Sequence, residues 1–68
     1  MTNGSLLKEY AKSKKITLNE LANAIGLTRQ GLNKKITNRT EFKVSEVMRL
    51  SELLGLTEEQ KQSVFFAV

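Results

Sequence analysis

Several residue types are missing from this 68-residue chain, which contains no cysteine, histidine, proline or tryptophan. All of its seven acidic residues are glutamate. Without cysteine there can be no disulfide framework, and without histidine, cysteine or aspartate we expect no zinc site. The same absences remove most of the groups used in general acid–base and nucleophilic catalysis. We therefore expect no cofactor and no enzymatic activity.

Long apolar runs are missing as well. Hydrophobic residues make up 40% of the chain, enough for one small core. No apolar run approaches the roughly 18 residues needed to cross a bilayer, and the N-terminus has no signal-peptide apolar region. We expect residues 1–68 to form a single domain in the cytoplasm.

Positive charge is concentrated in the first two thirds of the chain. Residues 1–43 carry nine basic and three acidic residues, a net charge of +6, whereas residues 44–68 carry −2. A basic half suits a polyanionic partner, although lysine-rich surfaces also serve solubility. Binding to a membrane surface is disfavoured, because the bases do not follow one continuous amphipathic face.

Helix signals recur along the chain, and strand signals are weak. Thr17 with Glu20 and Thr57 with Gln60 form capping boxes that predict two helix starts. Gly26 and Gly55 are natural left-handed helix stops. With apolar residues at helical spacing, these signals predict five helices, over about residues 4–14, 17–25, 29–36, 44–54 and 57–64. The expected core consists of Leu21, Ala22, Ile25, Leu32, Ile36, Phe42, Val47, Leu50 and Leu54.

The second and third helices lie in the stretch TLNELANAIGLTRQGLNKKI, residues 17–36. A turn as short as Gly26-Leu27-Thr28 cannot let two helices run antiparallel, so the third must cross the second steeply and protrude as a ridge. Ala22 is the small residue expected where they cross. The side chains expected to point outward from the ridge are of types that read base edges in the major groove: Arg29, Gln30, Asn33 and Lys34.

Each ridge residue has an expected role. The amide of Gln30 can pair bidentately with adenine, whereas Arg29 suits either guanine or a phosphate. Asn33 and Lys34 lie one turn further along and would reach adjacent bases. Gly31 either lets the backbone approach DNA closely or is simply tolerated in a first helical turn. The flanking residues expected to contact phosphates are Asn19, Thr28, Lys35, Asn38, Arg39 and Thr40.

The stretch resembles the helix-turn-helix of the lambda-repressor/Cro class of phage and bacterial regulators. The residues that carry the resemblance are Thr17, Glu20, Leu21, Ala22, Ile25, Gly26, Leu27, Thr28, Arg29 and Leu32. It implies an all-α, compact five-helix lambda-repressor-like domain that binds a double-stranded DNA operator and regulates transcription. The tail, TEFKVSEVMRLSELLGLTEEQKQSVFFA, resembles small phage-encoded Cro-like regulators of Gram-positive hosts. That implies a lysis–lysogeny switch and a location at the nucleoid of a bacterial host.

Two residues depart from the family pattern. Leu18 stands where the family usually has a glutamine that binds a phosphate, so one anchoring contact is in doubt. Lys35 stands where many members are apolar.

One recognition helix reads only a few base pairs, which favours a homodimer on paired half-sites. The apolar residues left over at the C-terminus either mediate self-association, dock a second protein, or pack on the first helix: Val64, Phe65, Phe66 and Val68. The alternative function is an anti-repressor that binds a cognate phage repressor through the ridge or through this tail.

Overall fold

Five helices account for most of the chain in the computed structural model, which describes residues 1–67. They are α1 (Gly4–Ser13), α2 (Leu18–Ala24), α3 (Arg29–Ile36), α4 (Val44–Leu54) and α5 (Glu58–Phe65). The predicted all-α, five-helix architecture is confirmed, and residues 1–67 contain no strand. The bounds of α3 and α4 agree with the sequence prediction, and the other helix ends differ from it by about one residue. No helix within the described part is long and apolar enough to span a membrane.

The predicted helix caps are present. Thr17 Oγ1 accepts from the Glu20 N–H at 3.1 Å, and Glu20 Oε1 accepts from the Thr17 N–H at 2.9 Å. Thr57 and Gln60 form the same pair of bonds at the start of α5. One cap was not predicted: α4 follows Lys43, whose backbone N–H donates to Glu46 Oε1 at 2.8 Å. The helix starts are therefore encoded locally, each within four residues.

Gly26 and Gly55 end α2 and α4 in the left-handed conformation, at φ +70° and +63°. After α2, the N–H groups of Gly26 and Leu27 donate back to the carbonyls of Asn23 and Ala22 at 3.1 and 2.9 Å. These bonds satisfy carbonyls that the helix end leaves free. They also fix the direction in which the chain leaves α2.

A single core lies between the helices. It is formed by residues from all five: Leu7, Ala11, Leu21, Ala22, Leu32, Ile36, Val47, Leu50, Leu54, Val64 and Phe65. Ile25 and Phe42, expected to be core, are partly buried against it. Val64 and Phe65 are 0% and 4% exposed, so these two residues follow the packing alternative and are not available to an interface. Phe66, which the sequence analysis grouped with them, is 52% exposed, and Val68 lies outside the described residues.

Residues 1–3 form a strap that ties α5 to the loop after α3. The N–H of Asn3 donates to the Val64 carbonyl at 2.7 Å, and the N–H of Ala67 donates to the Met1 carbonyl at 2.8 Å. On the other side, the Thr2 N–H donates to Asn38 Oδ1 and Asn38 Nδ2 donates to the Thr2 carbonyl. The strap holds the start of α1 directly against the end of α3.

Close packing at Gly4 leads to the first prediction. A Cβ there would lie 2.6 Å from Ile36 Cγ2 and 2.8 Å from the Ile36 carbonyl oxygen. Since the backbone of α3 cannot easily move aside, Gly4→Ala should lower the free energy of unfolding by about 1–3 kcal/mol. Urea unfolding followed by circular dichroism at 222 nm measures this.

Gly31→Ala is the matched control. Its Cβ would meet Thr28 Oγ1 at 3.4 Å and Leu27 Cβ at 3.7 Å, which are ordinary contacts. Removing a helical glycine should then raise stability by up to about 1 kcal/mol. Equal effects of the two substitutions would contradict the packing described at Gly4.

The cap of α2 leads to a pH prediction. Hydrogen bonds from the backbone and side chain of Thr17 lower the pKa of Glu20 from its ordinary value of 4.5. A carboxyl whose pKa is lowered by folding stabilises the fold fully above its unfolded-state pKa, and loses this contribution as the pH falls through the folded value. Glu20→Gln keeps the cap acceptor, as Gln60 does in α5, but removes the titration.

The wild type should therefore be more stable than Glu20→Gln at pH 7, and the difference should vanish as the pH falls below about 4.5. Thermal unfolding of both proteins across pH 2–7 measures it. A difference that does not change with pH would show that the ionised carboxylate contributes nothing beyond its geometry.

Candidate nucleic-acid interface

The ridge is built by the crossing of α2 and α3. Ala22 is buried at 2% exposure, and Leu32 anchors α3 in the core with none of its surface exposed. Thr28 caps α3, its Oγ1 accepting from the Gly31 N–H at 3.0 Å. With Leu32 and Ile36 directed inward, Arg29, Gln30, Asn33 and Lys34 are all exposed. The sequence placed these four side chains on one outward face, and the structure agrees.

Three of the four meet in one place. Gln30, Asn33 and Lys34 line an open depression of about 320 Å³ together with Thr37 and Arg39. Thr37 was missed by the sequence analysis; its Oγ1 donates to the Asn33 carbonyl at 2.8 Å, which holds it against the end of α3. The depression is thus lined by amide, hydroxyl, ammonium and guanidinium groups.

Arg29 lies at the opposite end of the ridge, beside the start of α2. Its Nη1 is 3.5 Å from Asn19 Oδ1, a long hydrogen bond between two exposed side chains. Asn19, Thr28 and Arg29 therefore form a second polar group at the N-terminal end of α3. The dipole of α3 adds positive potential at this end.

The loop after α3 curls back over that helix. The N–H groups of Arg39 and Thr40 both donate to the Lys34 carbonyl, at 2.8 and 3.2 Å. The side chains of both residues are exposed. Asn38 adopts φ +65°, and its side-chain amide is already bonded to the backbone of Thr2. The group that was expected to bind a phosphate at Asn38 instead holds the strap.

Lys35 is placed differently from the sequence expectation. Its ammonium pairs with Glu46 Oε1, and the two side chains are only 11% and 9% exposed. The ammonium also lies 5.8 Å from the centre of the Phe42 ring. A cation turned into the protein is not available to a DNA phosphate, so we remove Lys35 from the candidate contacts.

The Glu46 carboxyl is tuned by these neighbours. Burial by itself would raise its pKa, but hydrogen bonds from Lys35 and from the Lys43 backbone, together with their charges, lower the pKa below the ordinary value. Glu46 is therefore ionised at neutral pH.

The exposed cations of the site are unpaired with protein carboxylates. Within residues 1–67 the ion pairs are Lys35–Glu46 and Lys61–Glu58. Arg29, Lys34 and Arg39 therefore have no carboxylate partner within residues 1–67 and are available to an anionic partner. Leu18 packs against the core, so nothing at that position replaces the phosphate-binding glutamine of the family. No cluster of metal-ligating side chains occurs in the part of the chain described.

Comparison with known proteins agrees with this geometry. A family model described as helix-turn-helix, HTH_3, matches residues 7–61, well over half of the chain. Neither a curated protein nor a solved structure gives a significant match. The matched segment runs from the core residue Leu7 into α5 and includes the whole ridge. The chain therefore belongs to the lambda-repressor/Cro-type helix-turn-helix family of DNA-binding transcriptional regulators.

Proposed function

We propose that the protein is a sequence-specific transcriptional regulator that reads operator half-sites in the major groove with α3. The observation that supports this most strongly is the depression that joins Gln30, Asn33 and Lys34 of the ridge to Arg39 of the next loop. Base-reading amides beside an unpaired guanidinium suit a groove edge next to a phosphate.

The contacts divide by position. Gln30, Asn33 and Lys34 face the base edges, with Gln30 pairing to adenine. Arg29 reaches either a guanine or a phosphate from the N-terminal end of α3, and Asn19 and Thr28 bind phosphate beside it. Arg39 and Thr40 bind phosphate on the other side of the ridge. No catalytic step or cofactor is part of this proposal.

The biological setting that we propose is a phage lysis–lysogeny switch, in which the protein acts at the nucleoid in the cytoplasm of a Gram-positive host. The support is the resemblance of the C-terminal half, including Phe65-Phe66, to small phage-encoded Cro-like regulators. In this proposal the protein regulates transcription by occluding operators or by competing for them.

Substitution of the ridge tests base reading. A duplex selected by the wild-type protein from a random pool serves as the operator, and a scrambled duplex of equal length as the reference. Arg29→Ala with Gln30→Ala should reduce operator affinity at least tenfold, since each good base contact is worth about 1–3 kcal/mol. Arg39→Ala should weaken binding to the two duplexes by the same factor. It should also reduce the steepness with which log affinity falls with log salt concentration by about one.

Lys12→Ala is the matched control, because it removes one exposed positive charge from α1 rather than from the site. Fluorescence anisotropy across a salt series measures all four proteins, each checked for folding by circular dichroism. If the double substitution leaves operator preference intact, the ridge does not read bases, and the protein-binding alternative takes its place.

We also propose that two copies bind paired half-sites, because one α3 spans too few base pairs for a specific operator. Phe66 is half exposed and lines a groove of about 370 Å³, whose apolar wall includes Met1, Phe42 and Val47 and whose polar wall includes Thr2, Asn38 and Glu41. An exposed aromatic side chain beside such a groove suits contact with a second copy. The same surface keeps open the alternative that the protein binds a cognate repressor.

Phe66→Ser tests this surface. It should abolish dimers in sedimentation velocity and weaken binding to a two-half-site duplex, while loss of the half-buried ring should lower the free energy of unfolding by only about 1 kcal/mol. Met48→Ser, at a 55% exposed residue of α4, is the control. It should change neither the dimer population nor binding to the two-half-site duplex. Loss of repressor binding with unchanged DNA binding would assign Phe66 to the anti-repressor function instead.

A further inference from the structure

Lys35 and Glu46 are the buried charges in the described chain that face each other, and they join the end of the ridge to α4. Lys35 lies in the last turn of α3, directly after Lys34, which faces the DNA-side depression. Glu46 lies in the first turn of α4. The pair therefore connects the element that reads DNA to one that does not.

One carboxylate holds both ends of the loop between these helices. Glu46 Oε1 accepts from the Lys35 ammonium at the start of the loop and from the Lys43 N–H, at 2.8 Å, at its end. Arg39 and Thr40, the proposed phosphate contacts, lie in between. Fixing residues 35 and 43 to the same atom restricts the position of everything between them.

The packing around the pair extends this restraint. Phe42, in the same loop, lies under the Lys35 ammonium and meets Phe65 of α5 edge to face, with ring centres 5.3 Å apart. Ile36, the neighbour of Lys35, supports Gly4 of α1. The pair therefore lies where α3, α4 and α5 are joined.

A buried ion pair is a poor source of net stability, because desolvation offsets its attraction, and apolar residues of similar size often serve as well or better. Unlike apolar side chains, an ion pair is directional, because the hydrogen bonds between an ammonium and a carboxylate form in few relative orientations.

We propose that the Lys35–Glu46 pair is a positioning device that sets the angle of α3 and the path of the 37–43 loop, and so determines DNA specificity without touching DNA. Lys35 and Glu46 are thus positioning residues for Gln30, Lys34 and Arg39. The proposal rests on the DNA-reading function above, but part of its test does not need DNA.

Lys35→Met combined with Glu46→Gln tests the proposal. Methionine keeps the stem over Phe42, glutamine keeps an acceptor for the Lys43 N–H, and the net charge of +4 is unchanged. The free energy of unfolding measured with urea should stay close to that of the wild type. Discrimination between the selected and the scrambled duplex should fall at least tenfold, with affinity for the scrambled duplex within about threefold of wild type.

Hydrogen exchange provides the readout that is independent of DNA. The N–H groups of Arg39 and Thr40, bonded to the Lys34 carbonyl, should exchange at least tenfold faster in the double variant at equal global stability. If discrimination and exchange both stay at wild-type values, the pair only fills space and the proposal fails. Should wild type prefer no duplex, the proposed function fails, while the exchange result still tests the positioning.

One further double variant completes the test. Lys35→Gln with Glu46→Gln replaces the ion pair with a neutral hydrogen-bonded pair, and serves if the first double variant does not fold. Because the glutamine pair restores a directional hydrogen bond without charge, it should recover most of the discrimination between the two duplexes that Lys35→Met with Glu46→Gln loses. Failure of a folded glutamine pair to discriminate better than the methionine variant would contradict a directional role.

Discussion

The turn between α2 and α3 is the constraint on which the rest of the molecule depends. Gly26 in the left-handed conformation ends α2, and Thr28 begins α3 two residues later. This leaves the second helix only a steep path across the first. The crossing buries Ala22 and Leu32 and leaves the polar side chains on the opposite face of α3 exposed. The exposed polar ridge, for which we propose DNA reading, therefore follows from a local backbone requirement combined with ordinary burial.

The remaining helices act as supports for that crossing. α4 and α5 bring Val47, Leu50, Leu54 and Val64 against it and close the core. The polar contacts lie at the edge of this core: the cap on α4, the ion pair beside Phe42 and the strap at Asn38. Each of them meets the end of α3 or the loop that follows it. The apolar core holds α3 against the other helices, whereas these polar contacts set the direction of its C-terminal end.

Local signals were readable in the sequence, because capping boxes, glycine stops and apolar spacing act within a few residues. The ridge face and most of the core could be predicted for this reason. Lys35 and Asn38 could not, since their partners Glu46 and Thr2 lie 11 and 36 positions away. Nothing in a basic residue near a ridge distinguishes a phosphate contact from an internal ion pair. The tail was ambiguous in the same way, because a run of apolar residues does not state which of them enters the core.

The strap also has a consequence for the order of folding. The helices close through contacts a few residues apart, whereas the strap must bring Met1 to Ala67 and Thr2 to Asn38. Closing such long loops carries an entropic cost that local contacts do not. We expect the strap to form last and to open first, ahead of global unfolding. The loop after α3 would then complete its shape only when residues 1–3 have docked against Asn38.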